Sequence, residues 1–477
     1  MNNKHTLLLV VLCFFLVLPI VQTNAQVTIG SLQEPNKGAI LDLKEEGSTT
    51  RGLGMPRVML KDLNKLIMGD NVIEDEDMAW EKHIGLLVYN MNGCIDKSGE
   101  GLYVWKGDKW ESLSNQNQYE RDALYQPNTY MVDPGTPKVQ IPVEKAFRIW
   151  EYFGSADGEN RLPSESVTGI LTPVLYWQDA VIVPSSGSLS ISSNDRKGII
   201  TVNLAGGTVK GNAVIGLQDS SGTIRWSWHI WVTDDPTKAG LDGGGYTWMD
   251  RNLGATTTDP ADVAIKGLLY QWGRKDPFPA SQGWSNDDLI LQSTHGEVAA
   301  AIDKSKTNDN TTQINFKNSI AYPLSFIKKT STTSGDWYNP SVENDGRWNE
   351  RWGRTDNGCF HKSPLDPCPK GWKVPTHDYN QNMEAIKDKN PWKELINGAV
   401  EISVGNNARQ WENFGIYPFA GNRSYSTGNL SSNVGYVWSA SVASGVKSYT
   451  FYINRTTAKQ ISELDKAWGL SVRCVKE

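Results

Sequence analysis

The stretch Thr223-Ile-Arg-Trp-Ser-Trp-His-Ile-Trp-Val232 decides the fold, because it packs three tryptophans, two isoleucines, a valine and a histidine into one apparent strand. Successive side chains of a β-strand point to opposite faces. Trp226 and Trp228 therefore lie on one face, and His229 with Trp231 on the other. We predict a core strand in which His229 is hydrogen-bonded within the protein, rather than a ligand site.

Two further runs with period-two alternation precede this strand, at residues 199–204 and 213–217. The turn sequence at residues 219–222 joins the second run to the tryptophan-rich strand as a hairpin. The polar residues 114–122 are typical of a linker. This spacing of short strands predicts an antiparallel β-sandwich over residues 118–235.

Turn residues divide the segment before the linker into short apolar runs. Residues 85–90 form one such run, and residues 101–110 predict a strand, a turn at Gly107-Asp108 and a second strand. We predict a small β-rich domain over residues 26–117. The expected fold class is therefore mainly β, with an α+β C-terminal domain over residues 236–477.

The first residues predict an export signal. Lys4 and His5 precede an apolar run at residues 7–21, and small residues follow up to Ala25. We expect residues 1–25 to be a signal peptide, with an uncleaved anchor as the alternative, and no transmembrane segment after cleavage. Cys13 follows Val-Leu rather than a small residue, which disfavours a lipoprotein. The mature chain is expected to be exported and soluble, or held at a surface by other proteins.

Composition argues against nucleic acid as a partner. The 477 residues carry a net charge of −6, from 47 basic and 53 acidic side chains, and no block of Lys and Arg occurs. The chain also has 19 Trp. Tryptophan serves protein cores and ligand-contacting surfaces alike, so its use here has to be decided residue by residue.

The cysteines predict disulfides rather than a metal site. Apart from Cys13 there are four, Cys94, Cys359, Cys368 and Cys474. An even number in an exported chain favours two disulfides, with three possible pairings. Their spacing does not match zinc-ligand arrays.

Motifs for chemistry are absent from the sequence. It contains no HExxH, GxSxG, GxxxxGK[ST] or GxGxxG, and its six His are scattered. We expect a protein that is not an enzyme and that uses no cofactor and no metal.

The segment 236–477 resembles the Fibrobacter succinogenes major paralogous domain, which is widespread in exported proteins of Bacteroidetes. The blocks that carry the resemblance are residues 249–255, 269–279, 366–376, 418–423, 435–441 and 471–475. The resemblance implies a C-type lectin-like fold, with Cys368 joined to Cys474 and Cys359 either paired with Cys94 or free. The sequence also predicts one helix, at residues 378–389, with Thr376 before it as a cap.

The other two segments resemble surface proteins as well. Residues 211–215 and 224–233 are similar to the β-sandwiches of Bacteroidales fimbrillin-like proteins, and residues 27–90 are similar to the opening of many Bacteroidetes surface proteins. Together these resemblances imply a non-catalytic adhesin, or an accessory or tip component of a fimbria-like assembly. They also imply a secreted protein at the cell surface, on the outer-membrane exterior or associated with fimbriae. Its expected partners are a glycan or a host or bacterial surface protein, together with fimbrial subunits. The alternative is an exported enzyme or polysaccharide-processing accessory factor on a lectin-like scaffold, with Cys359 and Cys368 as its redox candidates.

Candidate ligand residues come from two aromatic and polar stretches of the last segment. Aromatic rings cover the C–H patches of sugars, while amide and guanidinium groups meet hydroxyls. The same residues can also hold a loop-rich core together. Lectin-like domains usually bind through the long loop that corresponds here to residues 405–433. The candidates are Trp337, Trp348, Asn349, Trp352, Trp411, Asn422, Arg423, Tyr425 and Asn433.

Overall fold

A computed structural model of the chain describes most of the residues that follow the predicted signal peptide. The predicted signal peptide 1–25, the predicted helix 378–389, Cys94 and the side chain of Cys359 lie outside the described part. The described residues are 27–29, 41–43, 53–68, 71–73, 79–92, 95, 100–113, 123–154, 161–280, 307–308, 316–329, 335–338, 348–356, 359–377, 391–392, 395, 401–402, 407–431 and 433–477.

The described part of the protein is mainly β, as predicted. It divides into two compact units. The first comprises Met1–Met91 with Leu102–Glu111, and the second comprises Asn92–Gly101 with Ser112–Glu477. The predicted boundary at residue 235 lies inside the second unit.

The first unit is built on small sheets. Its central sheet has the strand order β3-β6-β7-β8, with Trp105 in edge-to-face contact with Trp80 and Trp110 in the core. The predicted hairpin at Gly107-Asp108 is confirmed. The elements are β1 (Val27–Ile29), β2 (Leu41–Leu43), β3 (Arg57–Val58), β4 (Ile67–Met68), β5 (Asn71–Val72), α1 (Ala79–Lys82), β6 (Leu87–Asn90), β7 (Gly101–Trp105) and β8 (Trp110–Ser112).

The first unit also leaves many large apolar side chains exposed. They are Ile29, Leu41, Leu53, Met59, Ile84, Tyr89, Met91 and Leu102. The described part of the second unit is several times longer and adds only Leu113, Tyr152, Ile170, Val181, Ile199, Val209, Val263 and Tyr322.

The segment before residue 235 forms two facing sheets and a helix, in keeping with the predicted sandwich. The sheets have the orders β10-β13-β12 and β11-β14-β15-β9, and β9 runs parallel to β15 where an antiparallel arrangement was expected. The elements are β9 (Thr129–Val132), β10 (Lys138–Pro142), α2 (Glu144–Gly154), β11 (Thr172–Gln178), η1 (Ser186–Ser188), β12 (Leu189–Ile191), β13 (Ile199–Asn203), β14 (Gly211–Gln218) and β15 (Ile224–Val232).

The segment after residue 235 has long irregular connections between short strands. Its largest sheet has the order β19-β18-β33-β30-β31-β32. The elements are β16 (Leu241–Gly243), β17 (Tyr246–Trp248), η2 (Val263–Lys266), β18 (Leu268–Gln271), β19 (Phe278–Pro279), β20 (Thr307–Asn308), α3 (Phe316–Ala321), β21 (Lys328–Lys329), β22 (Gly353–Asp356), β23 (Cys359–Lys362), β24 (Trp372–Lys373), β25 (Glu401–Ile402), β26 (Ala408–Trp411), β27 (Gly415–Pro418), β28 (Asn422–Arg423), β29 (Leu430–Ser431), β30 (Gly435–Ser444), β31 (Lys447–Ile453), β32 (Ala458–Asp465), β33 (Gly469–Ser471) and β34 (Val475–Lys476).

Strand β15 has both faces buried, as the alternation in its sequence predicts. Trp226 and Trp228 belong to a core shared with α2 and with Trp337 and Trp348 of the last segment. Trp231, on the opposite face, belongs to a second core that is built mainly from the last segment. The second unit is therefore organised around a strand that serves two hydrophobic cores.

The disulfide Cys368–Cys474 is present and closes a separation of 106 residues. This confirms the pairing that the family resemblance implies, and it makes Cys368 unavailable as a redox thiol. The lectin-like identity of the last segment stays a prediction. Within the described part of the chain, no helix is long and apolar enough to cross a bilayer.

Candidate functional site

The tryptophans at 337 and 352 lie in the core rather than on a ligand surface. Trp337 Nε1 donates to the carbonyl of Trp272 at 2.7 Å, and Trp352 Nε1 donates to that of Arg274 at 3.1 Å. Each indole N–H therefore holds a segment of irregular backbone in place while the ring is buried. Both side chains are almost completely shielded from solvent.

Trp348 is buried as well, whereas its neighbour Asn349 is exposed. The Trp348 ring packs against Phe153 of α2 and Phe316 of α3, with ring centroids 5.1 Å apart in both cases. Asn349 Oδ1 accepts a hydrogen bond from Lys466 Nζ at 2.6 Å. The Trp348 ring thus contacts both α2 and α3, and Asn349 holds the side chain of Lys466 in place by a hydrogen bond.

The predicted binding loop, residues 405–433, is here called the loop segment. Its residues Trp411, Asn422 and Arg423 are also buried. Trp411 packs edge-on against Phe451 at 6.0 Å. Arg423 Nη2 donates to the carbonyl of Pro279 at 2.8 Å. These side chains tie strands and loops together and do not reach solvent.

Two candidates of this segment remain accessible. Tyr425 is half-buried, with its ring 5.0 Å from Trp468 and Lys329 Nζ above it at 4.6 Å. Asn433 is exposed and adopts a φ of +73°, a left-handed conformation that is uncommon outside glycine. Among the described residues, Asn433 lines a substantial cavity.

That cavity, here called the loop groove, has a volume of about 600 Å³. This is within the range of roughly 300–1,000 Å³ that is usual for small-ligand sites. It is open at one side and is built from residues far apart in the sequence. Its lining residues are Pro260, Ala261, Asp262, Val263, Ile265, Lys266, Asn407, Phe419, Asn433 and Arg455.

One wall of the loop groove is the short helix η2. The Asp262 carboxylate accepts a hydrogen bond from the backbone N–H of Ala264 at 2.9 Å, and Gly267 ends the helix with a φ of +69°. Ile265 anchors this wall because it packs into a small cluster with Ala408 and Ile416. Lys266 follows at the end of η2, half-buried at the groove.

The opposite wall comes from the loop segment and from a hairpin. The backbone carbonyl of Asn407 accepts a hydrogen bond from the Phe419 N–H at 2.8 Å. This bond holds Asn407 beside Phe419. Arg455 lies in the turn between β31 and β32. Asn454 Oδ1 shapes that turn by accepting from the N–H of Thr457 at 2.7 Å.

The loop groove has a net positive charge, because its lining contains two cationic side chains, Lys266 and Arg455, and one carboxylate, Asp262. Burial lowers the pKa of Lys266 below that of a lysine in water. The rest of the lining consists of two amides, a phenyl ring and four apolar residues, Pro260, Ala261, Val263 and Ile265. Such a set suits a ligand that presents hydroxyls, C–H patches and an acidic group. The lining contains no Ser, Cys or His.

The structure also bears on metal binding and on the role predicted for His229. Across the described ranges, no group of three or more His, Cys, Asp and Glu side chains could hold a metal ion. His229 is buried, with Nε2 2.9 Å from Asn212 Oδ1 and Nδ1 3.2 Å from Thr129 Oγ1. It is the hydrogen-bonded core histidine that the sequence predicts.

Sequence reasoning missed Asp262, Lys266, Asn407, Phe419 and Arg455. Phe419 is part of a resemblance block and Asn407 lies in the predicted loop 405–433, but Asp262, Lys266 and Arg455 have no adjacent aromatic residue to attract attention. Their only shared signal is proximity to turn residues such as Pro260 and Gly267. The fold, not the local sequence, brings them together.

Comparison with known proteins gives one match. Residues 28–127 match the model of the phage tail-like trimerisation region family. No curated protein and no solved structure matches the chain.

Proposed function

We propose that this protein is a non-catalytic cell-surface adhesin, or an accessory or tip component of a fimbria-like assembly. In this proposal the chain is exported, and its loop groove binds a glycan or a surface protein. The observation that carries the proposal is the lining of the groove: two cations, two amides and a phenyl ring around about 600 Å³. This lining is suited to recognition of a polar ligand.

The chemistry of the groove favours an acidic glycan over a neutral one. Arg455 and Lys266 can donate charge-assisted hydrogen bonds to a carboxylate or sulfate, which are stronger than neutral ones. Asn407 and Asn433 can donate to and accept from sugar hydroxyls. Phe419 offers an apolar surface for a sugar C–H face.

The proposal is tested with the full chain on an array of neutral, uronic-acid-bearing and sulfated oligosaccharides. We expect acidic oligosaccharides to bind, and Arg455→Glu to weaken that binding by at least about tenfold, since the loss of one charged hydrogen bond exceeds about 1.4 kcal/mol. Asn433→Gly should also weaken binding. Glycine adopts the φ of +73° without steric cost, so this change removes the amide and keeps the backbone.

The matched control is Lys138→Glu, which makes the same charge change at an exposed position of the sandwich. It should bind like the unmodified chain. If Arg455→Glu and Asn433→Gly both bind normally, the ligand site lies elsewhere. If the unmodified chain binds no glycan and no surface protein, the adhesin function itself is rejected.

A further inference from the structure

The central sheet of the first unit has one face in the core and one face in solvent. Val88 of β6 and Tyr103 and Trp105 of β7 point into the core and are buried. Because side chains alternate along a strand, Tyr89 and Leu102 must point to the opposite face. The pairing of Arg57 with Tyr89 between β3 and β6 places Met59 on that opposite face too.

The solvent face carries four large apolar side chains beside the exposed Arg57, where a monomeric protein would be mostly polar. Met59, Tyr89, Met91 and Leu102 are each between 38% and 44% exposed. Antiparallel and mixed sheets with one solvated face normally show polar side chains there. A group of large apolar side chains on one exposed face instead marks an interaction surface.

Its occupant is indicated by the comparison with known proteins. The family model for a trimerisation region covers residues 28–127 and so includes the whole of this sheet. We propose that the face formed by Met59, Tyr89, Met91 and Leu102 is the contact through which three copies of this chain associate. The partner is thus a second and a third copy of the same chain, each presenting the same face.

A trimer joined at this face has a clear physical rationale. Association removes aromatic and aliphatic surface from water, which is the main driving force of most protein association. Met and Tyr are among the residue types enriched in interface cores. The inference does not depend on ligand binding in the loop groove, so each can fail without the other.

The test is the mass of the full chain in solution, measured by light scattering or sedimentation across a dilution series. We expect three times the monomer mass for the unmodified chain. The double variant Tyr89→Lys with Leu102→Asp should be monomeric, or should dissociate at a concentration at least about tenfold higher, because each change buries a charge in the contact.

Controls separate the surface from folding. Ile170→Asp places the same charge on an exposed apolar residue of the second unit and should leave the trimer intact. Met59→Glu repeats the test directly after β3, and its circular dichroism should match that of the unmodified chain. A monomeric or dimeric unmodified chain would overturn the proposal. A trimer that persists in the folded double variant would also overturn it.

Discussion

His229 shows how a single buried residue links the core to pH. Its ring lies on β15 between Asn212 and Thr129, and burial lowers its pKa to about 3, against 6.5 in an exposed site. The folded protein therefore holds this imidazole neutral. The unfolded chain takes up a proton as the pH falls through 6.5.

We expect stability to fall as the pH is lowered below 6.5, by about 1.4 kcal/mol per pH unit from this residue alone. Urea unfolding of the full chain at pH 7, 6 and 5 measures how the free energy of unfolding changes with pH. These pH values lie above the range in which most carboxylates titrate. His229→Asn is the control. It removes the titrating ring, so its stability should depend less on pH, whatever its value at pH 7. An equal slope in both proteins would contradict the assignment.

At the residue scale the tryptophans were the least predictable feature. Every described tryptophan except Trp80, Trp372 and Trp468 is buried. The sequence shows aromatic rings beside amides and guanidinium groups, but a sugar site and a loop-rich core use the same side chains. Trp337 and Trp411 could be assigned only once their contacts with backbone carbonyls and other rings were known.

At the scale of elements, alternation predicted strands well and concealed a helix. β13, β14, β15 and the hairpin between the last two appear where the sequence indicates. Helix α2 was missed, although Ala146, Ile149, Trp150 and Phe153 recur at helical spacing and are buried. The surrounding period-two runs gave the wrong impression that the strand pattern continued through it.

The disulfide is the strongest single constraint on the irregular last segment. Cys368 and Cys474 lie in the second core, next to Val374 and Val472. Cross-linking residues that are 106 positions apart restricts the unfolded chain. For a loop of that length the entropic model gives a stabilisation of about 4–5 kcal/mol.

We therefore expect the double variant Cys368→Ser with Cys474→Ser to lose about 4 kcal/mol of unfolding free energy, measured by denaturant titration under non-reducing conditions. Changing both cysteines avoids a reactive single thiol. Ser363→Ala is a suitable comparison, because it alters a nearby side chain without touching the cross-link. A loss below about 1 kcal/mol would show that packing alone holds this segment.

At the scale of the whole molecule, the loop groove could not have been predicted. Its walls come from η2, the loop segment and the β31–β32 turn, which are separated by long stretches of sequence. The family resemblance pointed to residues 405–433, and Asn407, Phe419 and Asn433 do line the groove. Lys266 and Arg455 supply its charge, and only the folded chain shows that they are neighbours.

The two segments divided at residue 235 share extensive buried contact. Lys145 Nζ of α2 donates to the carbonyl of Pro364 at 2.9 Å, and Ser227 Oγ of β15 donates to Asp276 at 2.7 Å. Trp177 and Trp231 are almost fully buried in the core that the last segment completes.

We expect a fragment of residues 118–235 to lack a cooperative unfolding transition, whereas a fragment of residues 118–477 unfolds in one. Cutting at residue 235 would expose Trp177, Val214 and Trp231, and each large apolar side chain returned to water costs about 2 kcal/mol. That loss approaches the whole stability of an ordinary domain, roughly 5–15 kcal/mol. Calorimetry and tryptophan fluorescence of both fragments measure the difference. If the fragment of residues 118–235 is monomeric and unfolds cooperatively, the core on the Trp226 face of β15, which includes α2, is enough to fold the sandwich. The two-faced burial of β15 would then serve to fix the last segment in place rather than to fold the sandwich.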